Sequence, residues 1–200
     1  MILQDIQWEA FTVKVTNVRK SMGRLAMVTA STGFMAGLAF LNNGSAHAIG
    51  GLCNGRPASH TWLDASGQYG PAVIDGTRGD DVIIGSDGDD TIDGRGGNDT
   101  ICGGAGNDSI SVGPGGDSVV RGDTGDDDLT ALNVHSVTLI GDGGNDTLEV
   151  GDTVATSYLV GGSGDDVLIH DGRGHVKADG GDGFDDCLVR GGDEVTNCEY

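Results

Sequence analysis

The chain has 200 residues, a formal net charge of −20 and 38 glycines, and only 4% of it is aromatic. Such a charge, with no basic stripe to neutralise phosphates, excludes nucleic acid as a partner. So little bulky apolar material leaves a thin core of Ile, Val and Leu, which fits a repetitive fold better than one large hydrophobic interior.

Residues 1–48 read as an export signal. Lys14, Arg19, Lys20 and Arg24 precede the apolar stretch Leu25 to Leu41, and Ala46-His47-Ala48 supplies a small-x-small cleavage site, so cleavage is expected after Ala48. The run before Met22 is longer than an ordinary basic region, which makes Met22 an alternative start. An uncleaved anchor is the competing reading, but Leu25 to Leu41 is short for a membrane span. Residues 49–75 carry no repeat and are expected to form an N-terminal cap with a first edge strand, because an open solenoid end invites edge-to-edge association.

Residues 76–188 follow a nine-residue period, Gly-Gly-x-Gly-x-Asp-x-aliphatic-x. Copies begin at Gly76, Gly85, Gly94, Gly103, Val112, Gly122, Gly141, Gly161 and Gly180. The fourth place is Gly79, Gly88, Gly97, Gly106, Gly115, Gly125, Gly144, Gly164 or Gly183, and the sixth is Asp81, Asp90, Asp99, Asp108, Asp117, Asp127, Asp146, Asp166 or Asp185. The glycine-rich six residues predict a tight loop, and the last three predict a short strand with its eighth residue turned inward. That inner row is Ile83, Ile92, Ile101, Ile110, Val119, Leu129, Leu148 and Leu168, with Cys187 at the end. Two repeats make one coil of about 18 residues, so the predicted fold is all-β, a right-handed parallel β-roll with capped ends.

Stacking puts each loop about 4.8 Å above the loop one coil earlier. Carboxylates brought that close repel unless a cation lies between them. Beyond residue 48 the acids are all Asp except Glu149, Glu194 and Glu199, and short carboxylates at one phase of a loop repeat are ligands rather than a solvating surface. Oxygen-only donors on flexible glycine loops suit Ca²⁺ better than Mg²⁺, and no His/Cys spacing suggests zinc.

Over about Gly76 to Leu188 the chain resembles the RTX, or haemolysin-type, calcium-binding repeat proteins. The resemblance implies a parallel β-roll with calcium held between successive turns. It makes the nine sixth-position aspartates the expected side-chain ligands, with loop carbonyls of the glycine-rich residues before them, Gly79 to Gly183 at the fourth places, completing the sphere. RTX toxins, proteases and lipases carry large effector domains and a C-terminal secretion signal. This sequence reads instead as a standalone exported roll, secreted to the extracellular medium, and no lytic membrane activity is expected.

The ligand ladder is asymmetric. Asp90, Asp108, Asp127, Asp146, Asp166 and Asp185 are spaced by 18, 19, 19, 20 and 19 residues, one per coil. The opposite ladder, Asp81, Asp99 and Asp117, stops where the chain reads Leu132-Asn133-Val134-His135, Asp152-Thr153-Val154 and His170-Asp171-Gly172-Arg173. One ion per gap between stacked loops predicts about seven ions. Self-repelling loops on a thin core also predict that the chain folds on binding calcium.

Four cysteines suit an exported protein with two disulfides, for which three pairings exist. The favoured one joins Cys187 to Cys198, closing the last turn within a C-terminal cap of residues 189–200, and Cys53 to Cys102, tying the N-terminal segment to the third repeat. Catalysis is not expected. The paired acids Asp89-Asp90 and Asp165-Asp166 are fifth and sixth loop positions, and His60, His135, His170 and His175 read as solvated loop residues without partners. The functional alternative is a calcium-rigidified adhesive scaffold that contacts a surface or matrix polymer through its repeat-poor face, Ala131 to Leu139 and Val150 to Val160; such a face should show flat, exposed rows of Thr or Val, for which Thr130, Thr138, Thr147, Thr153 and Thr156 are available.

Overall fold

The computed structural model describes the backbone of four strands before residue 50, residues 52–57 and 60–61, and residues 71–199. It divides into two units, Met1–Gly50 and Gly51–Tyr200. In the first, Lys14–Val18, Leu25–Thr29, Leu38–Asn42 and Ser45–Ala48 pair antiparallel in chain order. Arg19, Lys20 and Arg24 of the expected export segment lie outside the described residues, as do Trp62 and Tyr69 of the expected N-terminal cap.

The second unit is an all-β parallel solenoid of two facing sheets, with no helix among the described residues. One sheet has seven short strands, running from Val73–Asp75 through Thr91–Asp93, Ser109–Val112, Asp128–Ala131, Thr147–Val150 and Val167–His170 to Asp186–Leu188. The other has eight, from His60–Thr61 through Val82–Ile84, Thr100–Ala105, Asp117–Thr124, Ser136–Gly143, Thr156–Ser163 and His175–Asp182 to Glu194–Thr196. Each strand pairs in parallel with the strand one coil away, so equivalent residues stack in columns.

The alternation of the strands turns one aliphatic row inward from each sheet. On the short-strand sheet the row is Ile74, Ile92, Ile110, Leu129, Leu148, Leu168 and Cys187, every member buried. On the long-strand sheet it is Ile83, Ile101, Val120, Leu139, Leu159, Ala178 and Val195. The expected Val119 is not in it. Ile101 pairs with Val120, because this coil takes 19 residues where the one before takes 18, and one residue of slip moves Val119 to the outer face.

Both disulfides form as favoured, Cys53 with Cys102 and Cys187 with Cys198. The first anchors a hairpin, Leu52–Cys53 and Arg56–Pro57, turning on Asn54-Gly55, both at positive φ as a two-residue hairpin demands. Cys53 and Cys102 pack with Val82 and Ile84 in a small cluster separate from the main core, and the Arg56 guanidinium donates to Thr100 Oγ1 at 3.0 Å. The threonines expected to mark one contact face do not share one. Thr138 and Thr156 lie on the long-strand sheet, Thr130 and Thr147 on the other, and Thr153 is buried.

Candidate metal centre

Where each long strand turns into the next short one, a carboxylate points into the roll. Asp90, Asp108, Asp127, Asp146, Asp166 and Asp185 are each no more than 2% exposed. Their Oδ1 atoms are satisfied by the coil before: Asp90 N–H donates to Asp108 at 2.8 Å, Asp108 to Asp127 at 2.8 Å, Asp127 to Asp146 at 2.8 Å, Asp146 to Asp166 at 2.8 Å and Asp166 to Asp185 at 2.9 Å. The expected ladder of six is therefore one continuous buried column.

The Oδ2 atoms divide the column in two, according to the backbone at the second position of each repeat. In the first two repeats that position is Thr77 or Ser86, whose N–H donates to Oδ2 of Asp81 at 2.6 Å or of Asp90 at 2.5 Å. In the third, fourth and sixth to ninth repeats it is Arg95, Gly104, Asp123, Asp142, Gly162 or Gly181, all at positive φ, while Gly113 in the fifth is not. In those same six repeats Oδ2 of Asp99, Asp108, Asp127, Asp146, Asp166 and Asp185 is buried and accepts no hydrogen bond from any described residue. Nothing in the composition of the repeat announces this change; it lies in the orientation of one peptide.

What faces several of these oxygens is more oxygen, although Asp99 Oδ2 is met by methyl groups of Ile101 and Val112. A Cβ built on Gly103 would meet both Asp108 Oδ2 and the Gly122 carbonyl; on Gly141, Asp146 Oδ2 and the Gly161 carbonyl; on Gly161, Asp166 Oδ2 and the Gly180 carbonyl. At these three glycines a small space is bounded by a carboxylate oxygen and a carbonyl from the next coil, and the carboxylate oxygen accepts no hydrogen bond from any described residue. This set fits a hard cation. The fourth-position carbonyls expected as ligands are placed differently. Those of Gly106, Gly125, Gly144 and Gly164 lie beneath Gly125, Gly144, Gly164 and Gly183, where positive φ and close approach both require glycine. Among the described residues no three His, Cys, Asp or Glu side chains converge. Each rung offers one carboxylate and backbone oxygens.

Burial strains these groups without a counter-charge. Loss of solvent is the main cause, with smaller repulsion from neighbouring carboxylates and partial relief from the backbone donor. It pushes the carboxyls of Asp99, Asp127, Asp146 and Asp166 from 3.8 up to about 6 and that of Asp108 to about 7.

Outside this column runs a second one, made of fifth positions and exposed. Asn107 N–H donates to Asp89, Asp126 to Asn107, Asn145 to Asp126, Asp165 to Asn145 and Phe184 to Asp165, at 2.8 to 3.0 Å. Asp and Asn alternate along it.

The opposite edge of the roll begins in the same way, with Asp81 N–H donating to Asp99 Oδ1 at 3.1 Å. The one-residue slip then removes Asp117 from the ladder. Asp117 is exposed and accepts a hydrogen bond from Ser136 Oγ at 3.0 Å, while Asp99 N–H donates to Ser118 Oγ at 3.1 Å. The buried column continues as Val137, Ser157 and Val176, with Val137 N–H on Ser157 Oγ at 3.0 Å and Val176 N–H on Asp193 Oδ1 at 2.9 Å. Hydroxyls and valines replace carboxylates, so beyond Asp99 this edge carries no buried charge until Asp193. His170 was expected in solvent, but it is 2% exposed. It sits at the end of an inner row beside Val150, with Nδ1 2.7 Å from Asp193 Oδ2. Burial pushes the Asp193 carboxyl up, but hydrogen bonds from His170 and from the Val176 and Arg190 N–H groups outweigh it and hold it below its usual value.

The family model of the RTX calcium-binding nonapeptide repeat (4 copies) matches residues 75–110, 137–152 and 157–169. No curated protein and no solved structure matches the chain significantly. The matched segments contain Asp81, Asp90, Asp99, Asp108, Asp146 and Asp166, which are rungs of the buried columns. Over those segments the chain thus carries RTX calcium-binding nonapeptide repeats, coiled into a parallel β-solenoid.

Proposed function

We propose that this protein is an exported calcium-binding module, with Ca²⁺ held along the buried carboxylate column and folding driven by the ions. The observation that carries the reading is the row of six buried Oδ2 atoms, of Asp99, Asp108, Asp127, Asp146, Asp166 and Asp185, that accept no hydrogen bond from any described residue. In four of those repeats, those of Asp108, Asp146, Asp166 and Asp185, the oxygen shares its space with a carbonyl of the next coil. A buried unpaired carboxylate oxygen facing a carbonyl is unfavourable alone and favourable around a divalent cation. Six such oxygens support about six ions, one fewer than the seven gaps between aspartate loops. Asp117 is left out of the ligand set, and Asp81 and Asp90, whose Oδ2 atoms already accept donors, are weaker members of it. When bound, the cation supplies charge neutralisation and a cross-link between coils. The chain's own residues position it: Oδ1 anchors each carboxylate to the previous coil, and the turned second-position peptide keeps donors away from Oδ2. The two disulfides agree with an oxidising, extracellular setting.

The test is a calcium titration of the calcium-stripped full chain with disulfides intact, followed by far-UV circular dichroism and by equilibrium dialysis. A cooperative gain of β signal, absent with magnesium and accompanied by several bound ions, is expected. A calcium-stripped chain that already shows the full β signal and takes up no calcium would refute the reading.

A further inference from the structure

The carboxylate column does not end with the last repeat. Asp185 is the final sixth-position aspartate, and the next coil has no Gly-x-Gly-x-Asp loop to answer it. Yet its N–H donates to Glu199 Oε2 at 2.8 Å, in the same way that Asp166 N–H donates to Asp185 Oδ1 at 2.9 Å. Glu199 stands one position too late to be a rung. It bridges Asp186, the seventh position of the last repeat, and its own N–H donates to the Asp185 carbonyl at 2.8 Å. Its side chain is one methylene longer than aspartate, and that extra reach brings the carboxylate back to the rung.

The rest of the terminal rung is rebuilt as well. A Cβ placed on Gly180 would meet Asp185 Oδ2 and the Asn197 carbonyl, as one on Gly161 would meet Asp166 Oδ2 and the Gly180 carbonyl. Gly181 is at positive φ, as are Arg95, Gly104, Asp123, Asp142 and Gly162 at the same place in their repeats. Asp185 Oδ2 is buried and accepts no hydrogen bond from any described residue. Between Asn197 and Glu199 lies Cys198, bonded to Cys187, which is itself the last member of the inner row, in register with Leu168.

We infer that the C-terminal cap completes a terminal cation site, in which Asp185, Glu199 and the Asn197 carbonyl hold one divalent cation of the calcium class, and that the Cys187–Cys198 disulfide keeps Glu199 in place as its outer wall. The cap is thus an artificial last repeat, its carboxylate supplied by a longer residue one step along the chain and its position fixed by a covalent bond. The inference rests on the calcium reading of the interior column.

Equilibrium dialysis of the full-length oxidised chain against calcium separates the two. Glu199→Gln is expected to bind one ion fewer than the parent, or to bind that ion at least about tenfold more weakly. Glu199→Asp, which keeps the charge and loses the reach, is expected to show the same deficit. The double variant Cys187→Ser/Cys198→Ser, with Cys53–Cys102 intact, is also expected to lose that one ion. Asp146→Asn, at an interior rung, serves as the control for the column. If the parent and Asp146→Asn differ but any of the three cap variants binds like the parent, the cap site is overturned while the interior reading stands. If the parent binds no calcium, both fall. Thermal melts of each variant in saturating calcium guard against misfolding: a cap variant that loses several ions and its cooperative melt together also overturns the inference, because a local site should cost one.

Discussion

Replacing Asp146 by asparagine should have opposite effects with and without calcium. Asp146 is 1% exposed, its Oδ1 accepts the Asp127 N–H at 2.8 Å, and its Oδ2 accepts nothing from any described residue. Burial raises its carboxyl from 3.8 to about 6, so near neutral pH the calcium-free fold holds a charged group at a cost of about 3 kcal/mol. Asparagine keeps the Oδ1 acceptor, removes the charge and offers an N–H₂ to the Gly161 carbonyl that borders the same space. In chelator at neutral pH the variant should be more stable than the parent by about 1–3 kcal/mol, the upper figure holding only if the new donor is fully satisfied. The advantage should vanish below about pH 4, where the parent's carboxyl is protonated in both folded and unfolded states. In saturating calcium the order should reverse, because a neutral amide is a poorer ligand than a carboxylate. Urea unfolding followed by circular dichroism, at two pH values with and without calcium, measures all of this. A variant less stable than its parent in chelator by more than about 1 kcal/mol would refute the picture of a desolvated, cation-starved oxygen. So would an unchanged response to calcium.

The calcium-free parent should gain stability on mild acidification. Asp99, Asp108, Asp127, Asp146 and Asp166 have folded values of about 6 to 7 against 3.8 unfolded, so the folded state binds more protons through that window and stability falls as pH rises across it. A melting temperature that drops between about pH 7 and pH 4.5 in calcium-free buffer would contradict this. Gly161→Ala would place a methyl group on Asp166 Oδ2 and the Gly180 carbonyl; it should cost a few kcal/mol in calcium and abolish one bound ion, as read by urea unfolding and dialysis. Leu148→Ala, at a fully buried rung of the aliphatic row, should cost about 3–4 kcal/mol and leave the number of ions bound by the folded protein unchanged. A loss below about 1 kcal/mol would mean that the aliphatic row is not the core.

Much of this architecture is legible in the period alone. Spacings of 18 to 20 residues between sixth-position aspartates sort the loops onto two edges, because one coil is two repeats long and a column needs one member per coil. The same phase identifies the inner row of the short-strand sheet and explains why Cys187 lies within reach of Cys198. Two of the failures share one cause, since a sequence period cannot register an inserted residue at the atomic level. The longer coil after Ile101 exchanges Val119 for Val120 and Asp117 for Ser118. Leu139, Leu159 and Ala178 complete the second aliphatic row from stretches that spell no repeat. Glu199 replaces an aspartate by chain length rather than by position. The turned peptides at Asp123 and Asp142 are conformations, and a residue alphabet does not encode them.

The exposed column of fifth positions has its own electrostatic logic. Neighbouring rungs lie about 4.8 Å apart, so an unbroken line of carboxylates there would place like charges well inside one another's fields. By alternating Asp89, Asn107, Asp126, Asn145 and Asp165, the chain keeps every hydrogen bond of the ladder while doubling the distance between charges to about 10 Å, beyond the screening length of physiological saline. The outer seam is therefore at rest in salt water, while the inner seam, with aspartate at every rung, is not. Two parallel columns built from adjacent residues of one repeat thus divide the work: one is a charge-diluted spine that holds the coils in register, and the other is a standing demand for positive charge.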